Sequence, residues 1–231
     1  MLQDNTKNKI TIVPSYPAPS FEDLVDLALD ISGVCDELQV DIVDGEFVEA
    51  QSWPFNQGDA EVAEELGKLM ELPSGLALEL DCMVLDPVQY LDIFVGLGVA
   101  RVIIHFGSTN YYEECLEHAA NNDYVIGLAL LPSTNFDEVS SLIERFDYVQ
   151  VMGIAEVGAQ GQSFDERSLG LISAIRKAFP GKEIAVDGAV NTETIPALVA
   201  AGATRLAPGS AIVKAVDRAV AYEKLSFAAN N

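Results

Sequence analysis

Short apolar runs alternate with longer amphipathic segments along the whole chain. The apolar runs cover residues 10–13, 38–43, 76–80, 102–106, 125–131, 148–152, 183–186 and 205–206. The amphipathic segments cover residues 21–31, 60–70, 87–97, 111–120, 135–145, 165–179, 192–201 and 211–225. Runs that are apolar throughout, without alternation, are typical of parallel strands buried on both faces. The pattern therefore predicts eight strands, each followed by a helix.

This order predicts an α/β protein that forms one (β/α)8 TIM barrel over residues 1–231. The length of 231 residues is close to the roughly 250 that are typical of such a barrel. No linker or change of composition divides the chain. The alternative is an open, doubly wound sheet. Its first strand-to-helix turn should carry a glycine-rich dinucleotide fingerprint, which residues 14–20 lack.

Net charge and cysteine content limit which partners and which cellular compartment we expect for the protein. With 36 acidic and 13 basic residues the net charge is −23, which disfavours nucleic acid and anionic membranes as partners, because both are bound through Lys and Arg. The three cysteines form no Cys-x-x-Cys pair, as expected of reduced thiols in a cytoplasm. The polar residues 1–9 lack the apolar core of a signal peptide. We therefore expect a soluble, cytoplasmic protein.

Two turns near the C-terminus are candidates for a phosphate site. In a β/α barrel the functional groups lie at the carboxyl ends of the strands. The turns 186–190 and 207–211 follow the last two predicted strands and therefore belong to this end. Gly188 and Gly209 lack the Cβ atom that would keep a phosphate from the backbone. The helix expected to begin near Ser210 would direct free N–H groups at the anion. The alternative is that these glycines only make tight turns.

Six segments resemble, in the same order, sequence blocks of the ribulose-phosphate 3-epimerase family. The segment VDGAVNTETIPALVAAGATRLAPGSAIV is similar to the C-terminal signature of that family. The other five segments are IVPSYPAPSFEDL, QVDIVDGEFVEA, LDCMVLDPVQYL, VIGLALLPST and VMGIAEVGAQGQSF. The blocks are spread along nearly the whole chain, and they support the predicted barrel.

The resemblance implies a reaction in which two carboxylates exchange protons with C3 of a ketose phosphate. The matching positions are Asp41 and Asp187, and the default reaction converts D-ribulose 5-phosphate to D-xylulose 5-phosphate. One carboxyl group acts as acid and the other as base, on opposite faces of the carbon. The expected substrate contacts come from strand ends and from the glycine-rich loop 153–162, and they are Ser15, His105, Gly158, Gly188, Gly209 and Ser210.

The family also implies a divalent metal, which two His and two Asp side chains hold. In this chain Gln39 and Asp81 stand where the family has the two His. The resulting set of Gln39, Asp41, Asp81 and Asp187 offers only oxygen, which suits Mg²⁺ or Mn²⁺, whereas imidazoles favour Zn²⁺ or Fe²⁺. Either a hard cation lies among the carboxylates, or the metal is lost and another group stabilises the enediolate. Three carboxylates without a cation would raise one another's pKa, which favours the cation.

Three functions stay open at this point. The first is the pentulose-phosphate epimerase, and the second is a catalytically inactive barrel that binds a phosphorylated sugar. The third is an epimerase for another sugar phosphate, such as a hexulose phosphate. The departures at Gln39 and Asp81 are the reason for the second. No Asp-x-Lys-x-x-Asp array is present, which disfavours the related sugar-phosphate decarboxylases. Barrels of this kind often form homo-oligomers through their outer helices, and the sequence leaves the oligomeric state open.

Overall fold

A computed structural model describes residues 9–58, 61–158 and 161–231. Its strands are β1 Thr11–Ile12, β2 Ser15–Tyr16, β3 Glu37–Val43, β4 Ala77–Met83, β5 Arg101–His105, β6 Val125–Leu130, β7 Tyr148–Met152, β8 Glu183–Asp187 and β9 Arg205–Ala207. Its α-helices are α1 Phe21–Ile31, α2 Val62–Gly67, α3 Leu91–Gly96, α4 Tyr112–Asn122, α5 Phe136–Arg145, α6 Arg167–Ala178, α7 Ile195–Ala201, α8 Ser210–Val213 and α9 Arg218–Asn230. One 3₁₀ turn, Lys68–Glu71, follows α2, and a second, Pro87–Tyr90, precedes α3. Parts of the predicted helix 60–70 and loop 153–162 lie outside the described residues.

The sheet closes into a barrel because β1 and β2 are two pieces of one strand. All neighbouring strands are parallel, in the order β1-β9-β8-β7-β6-β5-β4-β3-β2. The first piece pairs with β9 and the second with β3, so both ends of the sheet meet on the same segment. Pro14 lies between the two pieces, and its carbonyl still accepts a hydrogen bond from the Gln39 N–H at 2.8 Å. The predicted (β/α)8 barrel is confirmed.

The main hydrophobic core lies between the barrel and the helices around it. Helix α1 shows how the sequence builds this layer. Ser20 caps the helix, since its Oγ accepts from the Asp23 N–H at 3.1 Å. Leu24, Leu27 and Ile31 follow at helical spacing, and all three are fully buried against the strands. Each such side chain contributes about 1.5 to 3 kcal/mol when it leaves water.

The last predicted helix, residues 211–225, is wrong as a single element. The structure has two helices there, α8 and α9, with a break before Asp217. The reason is local, because the Asp217 carboxylate accepts from the Val220 N–H at 2.9 Å and caps a new helix. The break lets the short α8 stay at the carboxyl end of the strands while α9 packs along α1 and α7. In the described part of the chain, no helix combines the length and apolar character that a membrane span needs.

Candidate active site

The carboxyl ends of β3, β4 and β8 bring three aspartates together inside the barrel. Asp41 and Asp81 are neighbours in register on adjacent strands, and Asp187 ends β8 across the same opening. One carboxylate oxygen from each lies within 4.8 Å of the other two. The three residues are only 5%, 0% and 6% exposed. We call Asp41, Asp81 and Asp187 the carboxylate cluster.

Gln39 joins two members of the cluster through its amide nitrogen. The Nε2 atom donates to Asp41 Oδ1 at 2.8 Å and to Asp187 Oδ2 at 2.9 Å. Ionised carboxylates only accept hydrogen bonds, so the nitrogen is the amide atom that belongs between them. Asp187 Oδ1 also accepts from the Gly188 N–H at 2.6 Å and from Ser15 Oγ at 3.3 Å. Two carboxyl groups from β3 and β8 are thereby held next to each other by one amide nitrogen.

Asp81 is held by two different side chains, one on each carboxylate oxygen. His105 Nε2 lies 2.6 Å from Asp81 Oδ1, and Gln150 Nε2 donates to Asp81 Oδ2 at 2.8 Å. Gln150 did not enter the sequence-based prediction. A signal was present, because glutamine is the one polar amide in the run Tyr-Val-Gln-Val-Met that forms β7. The Phe47 ring, 5.7 Å from the His105 ring, packs against the imidazole.

Burial and neighbouring carboxylates raise the pKa values of Asp41 and Asp187. Burial, together with the charges of Asp187 and Asp81, holds the pKa of Asp41 well above its usual range. Burial and the charge of Asp81 raise the pKa of Asp187 to about 7, against hydrogen bonds from Gln39, Gly188 and Ser15 that lower it. Near neutral pH one of the two carboxyl groups, Asp41 or Asp187, can therefore be protonated while the other is ionised. Combined acid and base catalysis needs this state.

The cluster opens into a cleft at the carboxyl end of the barrel. Seven of the ten predicted site residues line it, namely Ser15, Asp41, Gly158, Asp187, Gly188, Gly209 and Ser210. Its apolar walls, which the sequence-based prediction missed, are Pro17, Met83, Met152, Ile154 and Val190. Asp81 belongs to the cluster, and Gln39 and His105 contact it. These three residues are not among those that line the cleft. The substrate contact expected of His105 stays a prediction.

Two glycines shape the turn that carries Asp187. Gly188 has φ +94°, and a Cβ atom there would lie 2.8 Å from Ile154 Cγ1, so other residues would strain the turn. Gly153 donates its N–H to the Asp187 carbonyl at 2.6 Å. A Cβ on Gly153 would lie 2.0 Å from the Gly188 carbonyl oxygen. The backbones of Gly153 and Gly188 therefore lie in close contact, which places the loop after β7 beside Asp187.

The donor set of the cluster fits a hard divalent cation. Three carboxylates lie together, and no Lys or Arg contacts them in the part of the chain that the structure describes. The buried amide oxygens of Gln39 and Gln150 have no hydrogen-bond partner among the same residues. Such an excess of oxygen acceptors is the environment that Mg²⁺ and Mn²⁺ prefer. Asp41, Asp81 and Asp187 could hold the ion. Gln39 could join them with its amide turned so that the oxygen faces the cluster, and its role as a ligand stays a prediction.

The fold and the site define this chain as a β/α barrel whose strand ends carry an acidic cluster beside two glycine turns. The model of the ribulose-phosphate 3-epimerase family matches residues 11–213, and the chain belongs to this family of isomerases. It is 28% identical over 216 residues to ribulose-phosphate 3-epimerase of Eremothecium gossypii, covering 91% of this chain and 89% of the relative. It is 26% identical to the Bacillus subtilis enzyme of the same name, over 94% of this chain and 98% of the relative.

A Schizosaccharomyces pombe relative of the same name is 32% identical, over 58% of this chain and 60% of its own length. Among solved structures, 3-hexulose-6-phosphate synthase superposes with a TM-score of 0.72, at 20% identity, over 95% of this chain and 99% of that chain. KGPDC from Streptococcus mutans gives a TM-score of 0.74 at 10% identity, over 95% of this chain and 97% of that chain. These two likenesses show the fold alone.

Proposed function

We propose that the protein is an epimerase that interconverts D-ribulose 5-phosphate and D-xylulose 5-phosphate. The observation that carries the proposal is the pairing of Asp41 and Asp187, which share the Gln39 amide and both face the cleft. We propose that the two carboxyl groups face opposite sides of the bound substrate, as the removal of a proton from one face of a carbon and the return of a proton to the other face require.

The proposed mechanism uses the two carboxyl groups in different protonation states. The ionised one takes the proton from C3 of the ketose phosphate, which leaves an enediolate. The protonated one supplies a proton to the opposite face of C3, and the roles exchange in the reverse reaction. The raised pKa values of both groups keep a proton available near neutral pH. Met83, Met152 and Ile154 give the cleft apolar walls, which would keep water from the enediolate.

Backbone groups are proposed to hold the phosphate. Gly188, Gly209 and Ser210 lie together on one side of the cleft, and α8 begins at Ser210, so N–H groups are available to an anion. We propose further substrate contacts from Ser15, Gly158 and His105. With a net charge of −23 the protein as a whole does not attract a sugar phosphate, so affinity has to come from these local donors.

We propose Mg²⁺ or Mn²⁺ as the cofactor, held by Asp41, Asp81 and Asp187, with Gln39 as a further ligand. When bound, such an ion would supply positive charge that stabilises the developing oxyanion of the enediolate. The support is the all-oxygen donor set, without the two imidazoles that Zn²⁺ or Fe²⁺ would favour.

The proposed function is tested by an epimerase assay on metal-stripped protein, with Mg²⁺, Mn²⁺, Fe²⁺ and Zn²⁺ added back separately. We expect turnover of D-ribulose 5-phosphate, restored best by Mg²⁺ or Mn²⁺. Best restoration by Zn²⁺ would contradict the all-oxygen site. Turnover of a hexulose phosphate in place of the pentulose phosphate would correct the substrate while keeping the class of reaction.

A catalytically inactive sugar-phosphate-binding barrel is the second candidate. The specific observation in its favour is that Gln39 and Asp81 replace the two family His, while the cleft and both glycine turns are kept. Absence of turnover with every cation, combined with binding of D-ribulose 5-phosphate in calorimetry, would establish it.

We also propose that the protein works in the cytoplasm. The support is that Cys35, Cys82 and Cys115 are free thiols and all buried, as expected in a reducing compartment. For assembly, we propose that any homo-oligomer forms through the outer helices. Light scattering on the eluting protein measures the mass directly, and fractionation of the source cells locates it.

A further inference from the structure

His105 and Gln150 reach Asp81 from two other strands of the barrel. His105 ends β5, and Gln150 lies in the middle of β7, with β6 between them. In the register of the sheet, Ala129 of β6 pairs with both His105 and Gln150. Ala185 of β8 pairs with Gln150 on its other side. Because both neighbours are alanines, space is left for the Gln150 side chain to extend across the interior to Asp81.

Both contacts to Asp81 are buried, and they act on different oxygen atoms. His105, Gln150 and Asp81 are 3%, 0% and 0% exposed. A carboxylate held by a single donor can rotate about its terminal bond, whereas one donor on each oxygen fixes its plane. Each oxygen keeps a second lone pair, and one oxygen of Asp81 lies within 4.8 Å of oxygens of Asp41 and Asp187. The two donors therefore leave Asp81 able to bind an ion and set its orientation.

We propose that His105 and Gln150 are positioning residues, which orient the Asp81 carboxylate so that it shares a divalent cation with Asp41 and Asp187. The inference rests on the cation of the proposed function and is independent of the sugar. Donors that contact a metal-binding carboxylate restrict its orientation, and their loss typically lowers metal affinity roughly 10-fold to 100-fold. This assigns His105 and Gln150 a task that acts through Asp81, and for His105 this task is separate from the proposed substrate contact.

The test is the affinity of the full-length protein for Mn²⁺ alone, after chelator treatment, measured by calorimetry and by the electron paramagnetic resonance signal of free Mn²⁺. Gln150→Leu and His105→Phe each remove one donor while keeping an apolar side chain of similar size. We expect each to weaken Mn²⁺ binding roughly 10-fold to 100-fold. His105→Gln, whose amide nitrogen can replace imidazole Nε2, should restore most of the affinity.

Tyr148→Phe is the matched control. Tyr148 lies on β7, two residues from Gln150, is also buried, and its ring contacts Arg101. This variant should bind Mn²⁺ like the unchanged protein. Thermal melts of all variants report folding. If Gln150→Leu does not fold, the comparison of His105→Phe with His105→Gln decides.

Three results would overturn the inference. One is unchanged Mn²⁺ affinity in folded His105→Phe and Gln150→Leu proteins, which would leave these side chains a purely structural role. Another is equal weakening by Tyr148→Phe, and the third is an unchanged protein that binds no Mn²⁺. The proposed function fails separately, because the titration contains no substrate. Loss of Mn²⁺ affinity in the variants of a protein without epimerase turnover would uphold the positioning role and refute the enzyme.

Discussion

Both ends of the barrel interior contain buried carboxylates, but only those at the amino end have arginine partners among the described residues. Near the amino ends of the strands, Glu79 Oε2 accepts from Arg101 Nε and from Arg205 Nη2, both at 2.7 Å. Two residues further along the same strand, Asp81 lies beside Asp41 and Asp187, and no Lys or Arg contacts it among the described residues. Glu79 and Asp81 are about equally buried, at 1% and 0% exposure.

This difference distinguishes a buried carboxylate that stabilises the fold from buried carboxylates that are available for catalysis. At the amino end, guanidinium groups oppose the rise in the pKa of Glu79 that burial causes, and Arg101 also stacks on the Tyr148 ring at 4.0 Å. At the carboxyl end, burial and neighbouring aspartates raise the pKa of Asp41 and Asp187 together. Two guanidinium groups compensate the buried charge of Glu79, whereas the described residues place no such group against Asp41 and Asp187. Four predictions test this contrast.

The largest effect is expected from removing an acid or base at the carboxyl end. Asp41→Asn and Asp187→Asn should each lower epimerase kcat by about 10²-fold to 10⁴-fold, the usual contribution of a positioned acid or base. The folded state should persist, because each change removes a buried charge. A coupled epimerase assay and a thermal melt measure both. Asp137→Asn, at an exposed position on α5, is the control. Near-normal turnover in either cluster variant would refute the proposed roles.

At the amino end the same kind of change should act on stability. Arg205→Met leaves Glu79 with a single guanidinium partner. It should lower the free energy of unfolding by about 3 kcal/mol, the low end of the cost of breaking a buried ion pair, because Arg101 still compensates Glu79. Urea unfolding measures it. The same substitution at Arg145, whose partner Glu113 is exposed, should change it by less than about 1 kcal/mol. A matching loss in both variants would show that Arg205 has no special part in closing the barrel.

A cation should stabilise the protein through the carboxyl end alone. Mn²⁺ at about 100 times its Kd should add about 2.7 kcal/mol to the free energy of unfolding and raise Tm accordingly. The increment should be kept in Arg205→Met, whose site is intact, and lost in Asp187→Asn. Thermal melts with Mn²⁺ and with a chelator provide the comparison. An increment that survives in Asp187→Asn would place the ion elsewhere on this acidic surface.

The last prediction concerns the pH dependence of stability in the presence of a chelator. The pKa of Asp187 is raised from an ordinary value of 3.8 to about 7 in the folded protein, so between these values the folded state binds more protons than the unfolded state. Stability should therefore fall as the pH rises from about 4 to about 7. Asp187→Asn removes this dependence, so its advantage over the unchanged protein should grow across the same window. Urea titrations of both proteins at several pH values measure this difference in the free energy of unfolding. A difference that stays constant with pH would contradict the raised pKa.

Much of the site followed from the sequence, because strand ends of a parallel barrel converge at one opening. Asp41 and Asp187 were predicted as the catalytic pair from the family resemblance, and the structure puts both at strand ends in the cleft. Gln150 was not predicted, although it interrupts an apolar strand. Its partner lies three strands away, and pairing across a barrel interior depends on tilt and on small neighbours, which a linear pattern does not encode. Likewise, Asp217 ends a predicted helix by capping the next one.

The alternation of apolar runs and amphipathic segments was sufficient to determine the barrel and which residues stand at its functional end, since these properties are local and periodic. The tertiary structure alone decided what each buried polar group faces. Glu79 and Asp81 are the same kind of residue on the same strand. Glu79 contacts two guanidinium groups, whereas Asp81 lies beside two aspartates. The reason is that the neighbouring strands carry different side chains at the amino end and at the carboxyl end of the barrel. Charge compensation in a closed barrel depends on long-range register, and this is the physical reason that chemistry is possible at one end only.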